Sequence, residues 1–160
     1  MTLHIEIRGL RETQAELERV ARDLDGPPMV QGMRDATLLV EGDAKRNLVG
    51  YQSPSVGGVD TGRLRASITP QVESRGKETI GIVGSNVRYA LWVEEPTRPH
   101  WPPLAALETW ARRHGTTAYI VARAIARRGT IGKHFLQRAF DANRERIIDL
   151  LGNVVGRIVG

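Results

Sequence analysis

Apolar residues recur at helical spacing over two long stretches, and these stretches limit the possible folds more than any other feature. The first predicts a helix from about Pro28 to Val49, and the second a helix from about Lys133 toward Val159. Each has one apolar face, and we expect the face of the second helix to cover a sheet. The residues of the two faces are Met29, Met33, Ala36, Val40 and Ala44, and then Leu136, Phe140, Ile147, Leu151, Val154 and Ile158.

Shorter elements precede and separate these helices. Alternation of apolar and polar residues predicts a strand over residues 3–7, and helical spacing predicts a helix from about Arg11 to Asp25 that ends at Gly26-Pro27-Pro28. Residues 50–60 are rich in Gly, Ser and Pro and predict a loop. Two strands follow, Ala66 to Ser74 and Glu78 to Ser85, with Ile68, Val72, Ile80 and Ile82 as candidate inward residues.

The region between the strands and the last helix contains a pair of further helices. Asn86 is a candidate N-cap for a short helix through Val93, and the four prolines of residues 94–103 predict an irregular segment. Helices are then expected over Leu104 to His114 and Ala118 to Arg128, closed by Gly115 and Gly129. The order of elements predicts an α+β fold. A small antiparallel sheet is packed by long N-terminal and C-terminal helices, and an extra helical pair is inserted at about 103–128.

Composition sets the class of protein. The chain has 160 residues, 41% of them hydrophobic, which suits a single domain over residues 1–160 with its own core. It has no cysteine, so a disulfide framework, a thiolate zinc site and a cysteine nucleophile are excluded. We expect neither a membrane span nor a signal peptide, because no apolar run has the required length.

The positive charge is concentrated in one block. Residues 98–138 hold eight Lys and Arg residues against Glu108 alone, a net charge of +7, whereas the whole chain carries +5. Such a block favours an acidic partner, which can be a protein surface or the phosphates of a nucleic acid, or it is simply a solvated face. The candidate interface or DNA-facing residues are Arg98, Arg112, Arg113, Arg123, Arg127, Arg128 and Lys133.

The sequence offers no recognisable catalytic or metal-binding pattern. The four histidines lie far apart, and Glu94 and Glu95 are adjacent and so diverge on a helix. A nuclease built from Asp60, Glu73 and Glu78 lacks a lysine at an informative spacing. We therefore expect no enzyme, no cofactor and no metal.

Three segments, in order, resemble the HK97 gp10-like family of tailed-bacteriophage proteins. They are Val59-Asp60-Thr61-Gly62-Arg63-Leu64-Arg65-Ala66-Ser67-Ile68, the stretch from Val83 to Glu94 (VGSNVRYALWVE), and the stretch from Gly132 to Phe140 (GKHFLQRAF). The resemblance spans roughly residues 30–150. It departs from the family where Glu94-Glu95-Pro96-Thr97 stands in place of Glu-x-Gly-Thr, and where two helices occupy residues 100–130 in place of a brief loop.

The residues that carry this resemblance have structural explanations of their own. Asp60 can cap a turn that Leu64 anchors, and Tyr89 and Val93 share a helix face. We expect these residues to specify the fold rather than to act directly. The motif residues are Asp60, Thr61, Gly62, Leu64, Ser67, Asn86, Tyr89, Glu94, Phe135 and Leu136.

The resemblance implies a structural virion protein of the neck or tail, acting in tail completion or head–tail joining. Such a protein is assembled in the bacterial host cytoplasm. Its implied partners are further copies of itself in a ring, with a hexamer favoured, and the neighbouring neck and tail proteins. DNA in the lumen is a further candidate partner, and no membrane is implied. A closed ring needs two unlike complementary patches, and the acidic helix bearing Glu12, Glu16, Glu18 and Asp23 could pair with the basic block. The alternative function is a DNA-binding accessory protein that uses residues 98–138.

Overall fold

The computed structural model describes residues 10–24, 26–49, 61–75 and 78–159, and it has the expected α+β fold. The described residues form seven helices and a two-stranded antiparallel sheet. In chain order the elements are α1 (Leu10–Leu24), α2 (Pro27–Val49), α3 (Arg63–Ser67), β1 (Ile68–Arg75), β2 (Glu78–Ser85), α4 (Ala90–Glu94), α5 (Leu104–Arg113), α6 (Ala118–Arg128) and α7 (Phe135–Val159).

The described residues fall into two compact units. The first unit consists of the described parts of Met1–Leu39, Pro70–Ile82 and Asn143–Gly160, and the second of the described parts of Val40–Thr69 and Val83–Ala142. Both units therefore combine segments that are distant in the chain.

In the first unit, glycines allow close packing of helices and sheet. A Cβ built on Gly32 of α2 would lie 2.8 Å from a methyl group of Val154 in α7, so the two helices approach closely there. A Cβ on Gly81 of β2 would lie 2.6 Å from the Thr37 methyl group, so this face of the strand packs on α2. The weak helix propensity of Gly32 is thus offset by contact with a neighbouring helix.

Two expected core positions are wrong. Side chains alternate along a strand, and because Gly81 faces α2, Ile82 points to the opposite face and remains 40% exposed. Phe140 of α7 is 50% exposed, because the buried face of that helix passes through Phe135 and Ala139 instead. The next position, about 100° further around the helix, therefore faces outward.

The second unit contains α5 and α6, which pack against each other as a helical hairpin. Gly115 follows α5 with φ of 64°, and the Thr117 hydroxyl caps α6 by accepting from the Ile120 N–H at 3.3 Å. Gly129 ends α6 with φ of 71°. The predicted helical pair and both of its glycine stops are confirmed.

Local boundaries differ from expectation in the region around the first strand. Ala66 and Ser67 belong to the helical turn α3, so β1 begins at Ile68. Within that turn the Ser67 hydroxyl donates to the Leu64 carbonyl at 2.8 Å, which favours the helical backbone over an extended one. The expected strand over residues 3–7 and the loop over residues 50–60 lie outside the described residues.

Candidate binding groove

Hydrogen bonds join the three segments that carry the family resemblance. The hydroxyl groups of Ser67 and Ser85 lie 2.7 Å apart, which ties the end of α3 to the end of β2. The Ser85 hydroxyl also accepts from the Val87 N–H at 3.1 Å. The first and second segments are therefore linked through side chains as well as through the hairpin of β1 and β2.

Glu94 links the second segment to the third. Its carboxylate oxygens accept the backbone N–H groups of Leu136 and Gln137, at 3.0 and 2.9 Å. The backbone N–H groups of Lys133 and His134 donate to the carbonyls of Val93 and Glu94, at 2.7 and 3.0 Å. The carboxylate thus caps the first turn of α7, where unpaired N–H groups and the helix dipole favour a negative charge.

A second contact closes the base of the α5–α6 hairpin. Thr97 and Thr130 exchange backbone hydrogen bonds at 3.1 and 3.3 Å, and their hydroxyl groups lie 2.8 Å apart. Gly129 and Gly132 are packed so tightly that a Cβ on either would lie within 2.5 Å of the carbonyl oxygens of Thr97 and Glu94 respectively. The segments entering and leaving the hairpin are therefore held side by side.

Beside this base the second unit contains a groove with a volume of about 820 Å³. It is lined by residues of α3, α4, α5 and α6, together with Leu48 of α2, residues 61 and 62, Tyr89, residues 129–131 and Lys133. Most of its walls are apolar or aromatic. The large apolar side chains that line it are Leu48, Leu64, Tyr89, Trp92, Val93, Leu107, Trp110, Val121, Ile125 and Ile131.

The charge of the groove has one sign. Among the residues that the structure describes, its lining includes Arg63, Arg65, Arg113, Arg128 and Lys133 and no acidic residue. Lys133 is only 7% exposed, and burial lowers the pKa of its ammonium group. An apolar groove with cationic groups favours a ligand that combines apolar surface with negative charge.

The structure places the predicted basic residues in two different settings. Arg113 and Arg128 line the groove and are exposed. Arg98, Arg112, Arg123 and Arg127 are exposed and do not line the groove. Lys133 also lines the groove, but its side chain is buried, so it does not belong to an exposed surface.

The predicted motif residues have mostly structural roles. Leu64 and Phe135 are buried, Leu136 donates its backbone N–H to Glu94, and Gly62 precedes α3 with φ of 73°. The Thr61 hydroxyl accepts from the Arg63 N–H at 3.3 Å. Asp60 lies outside the described residues.

Two motif residues lie near α4. The prediction for Asn86 is wrong, and Tyr89 has a further role. Asn86 is exposed and is not the N-cap of α4, because the helix begins only at Ala90 and Tyr89 occupies the cap position. Tyr89 is 38% exposed and lines the groove together with Val93.

Sequence reasoning did not identify four residues that define the groove. Arg63 and Arg65 stand out only as neighbours of Leu64 in the first segment, and Trp92 and Trp110 stand out only as apolar helix residues. Aromatic residues combined with arginine are typical of interaction hot spots, and this composition is the signal that was available. It becomes informative only when the fold brings the four residues together.

Within the described ranges, no group of three or more potential ligands could hold a metal ion. No helix among these residues is both long and apolar enough to cross a membrane. Comparison with known proteins identifies no relative, since no family model, curated protein or solved structure matches this chain.

Proposed function

We propose that this chain is a structural subunit of a bacteriophage neck or tail, which acts in tail completion or head–tail joining as part of a ring. The observation that carries the proposal is the ordered set of three segments that resemble the HK97 gp10-like family. The hydrogen bonds between Ser67 and Ser85, and between Glu94 and the first turn of α7, support it, since they hold the three segments together in the fold.

The α5–α6 hairpin offers a surface suited to protein contacts. Trp101 and Tyr119 pack edge to face, with ring centroids 5.7 Å apart, and are 53% and 56% exposed. Ile120 beside them is 59% exposed. Exposed aromatic and apolar residues together with arginines favour a protein–protein interface.

The charge pairing between α1 and the basic block stays a prediction. Glu18 of α1 is exposed, and a carboxylate oxygen of Asp23 lies 4.0 Å from the Arg19 guanidinium group in the same helix. Part of the negative charge of α1 is thus balanced within the helix itself.

The proposal is tested in particles made by a phage that carries an early stop codon in this gene. Electron microscopy is expected to show filled heads beside separate tails, or tails with abnormal ends. The control is the same mutant with the intact gene supplied in trans, which should restore joined virions. Normal, joined virions from the uncomplemented mutant would contradict the proposed role.

A DNA-binding accessory protein is the second candidate function, and the exposed arginines of α5 and α6 favour it. Arg112 and Arg113 lie in the last turn of α5, and Arg127 and Arg128 in the last turn of α6. Their guanidinium groups could contact phosphates without reading bases. This function differs from the first in its dependence on salt concentration, because contacts with phosphates weaken as the salt concentration rises.

A further inference from the structure

We propose that the groove of the second unit binds an acidic amphipathic helix of a partner protein. The apolar face of that helix would enter between Trp92 and Trp110, and its carboxylates would lie against Arg63, Arg65 and Arg128. This is a helix-in-groove contact of the kind that amphipathic helices make with apolar channels. That the partner is a neighbouring virion protein rests on the function proposed above, whereas the groove itself does not depend on it.

The exposure of the lining residues shows that the described part of the chain leaves the groove open. Trp92 is 59% exposed and Ile131 is 68% exposed, although both line a concave apolar surface. Binding of a partner that covers large apolar side chains at the edge of such a surface is favourable, because their apolar area is removed from water.

The charges of the groove select the partner. The described residues that line the groove include five cationic residues and no acidic residue. A basic segment would be repelled by Arg63, Arg65 and Arg128, and a neutral apolar segment would make no favourable charge contact with them. An acidic amphipathic segment would make favourable contacts both with the apolar walls of the groove and with its arginine side chains. The planar guanidinium groups of Arg63, Arg65 and Arg128 are suited to carboxylates.

The size and the walls favour a helix over a small anion. The volume of about 820 Å³ lies near the upper end of the range for small-molecule sites, and the groove extends along several helices. It therefore has room for several large side chains that project from one face of a helix. Trp, Tyr and Arg on the walls are the residue types most often found at the centres of protein interfaces.

The first experiment uses the full chain and a designed peptide of about 15 residues, since shorter isolated helices are marginally stable. The peptide carries Leu at i, i+3, i+4 and i+7 and Glu on its flanks, and a second peptide has every Glu replaced by Lys. Binding is followed by tryptophan fluorescence in a Trp101→Phe background, because Trp92 and Trp110 line the groove and Trp101 does not. We expect the acidic peptide to bind with a blue shift in emission, and the basic peptide not to bind.

Matched charge reversals then locate the site. Arg63→Glu/Arg128→Glu reverses two groove residues, and Arg123→Glu/Arg127→Glu reverses two exposed residues that do not line the groove. We expect the first pair to weaken peptide binding by roughly tenfold or more, because like charges then face each other across the contact. The second pair should change affinity much less. Circular dichroism spectra of both variants check that they are folded.

Several outcomes would overturn the proposal. Equal weakening by the two double variants would indicate general attraction to a basic surface. If the peptide does not bind, and the chain is a dimer that Arg63→Glu/Arg128→Glu dissociates, the occupant is a second copy. If the peptide binds only after residues 51–59 are replaced by Gly and Ser, the occupant is that segment of the same chain. None of these results alters the particle experiment, so failure of the groove and failure of the virion role can be distinguished.

Discussion

The Glu94 carboxylate accepts the backbone N–H groups of Leu136 and Gln137, which lie 42 and 43 positions further along the chain. One short side chain thereby satisfies two of the four donors that the start of α7 leaves unpaired, and its negative charge faces the positive end of the helix dipole. At the scale of single residues, this contact explains why a glutamate is required at the end of α4. The sequence identified Glu94 as part of a motif, but its partners depend on the fold.

Replacement of Glu94 by Ala is expected to lower the free energy of unfolding by about 1 to 3 kcal/mol, since a helix cap and two charge-assisted hydrogen bonds are lost. Chemical denaturation measures the change. The matched control is Glu95→Ala, which alters an exposed neighbouring glutamate and should stay within about 0.5 kcal/mol of the wild type. Equal losses in the two variants would show that the cap does not stabilise the protein.

At the scale of secondary-structure elements, the α5–α6 hairpin depends on the contact between Thr97 and Thr130 at its base. That contact needs Gly129, whose backbone has φ of 71° and ψ of −161°, a conformation that is essentially restricted to glycine. The sequence predicted both helices and their glycine stops from local signals. It did not indicate that the stop after α6 lies against the backbone of residue 97.

Two glycine substitutions distinguish the effect of backbone strain from the effect of the close contact between Gly129 and Thr97. Gly115→Ala changes a residue with φ of 64° and no atom within 4 Å of the new Cβ, so we expect a loss of about 1–2 kcal/mol. Gly129→Ala also places a Cβ onto the Thr97 carbonyl oxygen, so we expect a larger loss of about 2–4 kcal/mol.

Thermal unfolding measures both losses, and hydrogen exchange at the Thr97 and Thr130 amides reports the base of the hairpin directly. Only Gly129→Ala should accelerate exchange at these two amides. Similar stability and similar exchange in the two variants would contradict the proposed importance of the base contact.

At the scale of the whole molecule, the salt dependence of binding through the basic block distinguishes the two candidate functions. Residues 98–138 carry a net charge of +7, from eight basic residues and Glu108. If the chain binds DNA through this block, affinity for duplex DNA should fall by orders of magnitude between low and moderate salt, because counterions are released from the phosphates. A structural subunit with an apolar protein interface has no such requirement.

We expect no measurable binding of the full chain to duplex DNA at about 50 mM salt, a concentration at which phosphate contacts are still strong. Fluorescence anisotropy of a labelled duplex measures it. Tight binding that declines steeply with salt, and that Arg112→Glu/Arg127→Glu abolishes, would favour the DNA-binding function instead. The control variant is Arg144→Glu/Arg146→Glu, which alters two exposed arginines of α7 outside the basic block.

The sequence by itself determined the helices, the hairpin and the fold class. Apolar spacing, prolines and glycines act within a few residues of one another, and they predicted the bounds of α2, α5 and α6 closely. Local signals failed where a distant contact decided the outcome. Ile82 faces outward because α2 lies against Gly81, and Lys133 is buried next to Gly132, which packs against the backbone of residues 94–96.

Only the tertiary structure decided which side chains meet at the groove. Arg63 and Trp92 are far apart in the chain, as are Trp110 and Arg128, and no local pattern relates them. The Ser67–Ser85 contact joins the end of α3 to the end of β2, the Glu94 carboxylate joins α4 to the start of α7, and α5 packs on α6. Local structure follows from short-range backbone preferences, whereas a site of this kind depends on contacts between segments that the order of residues along the chain does not reveal.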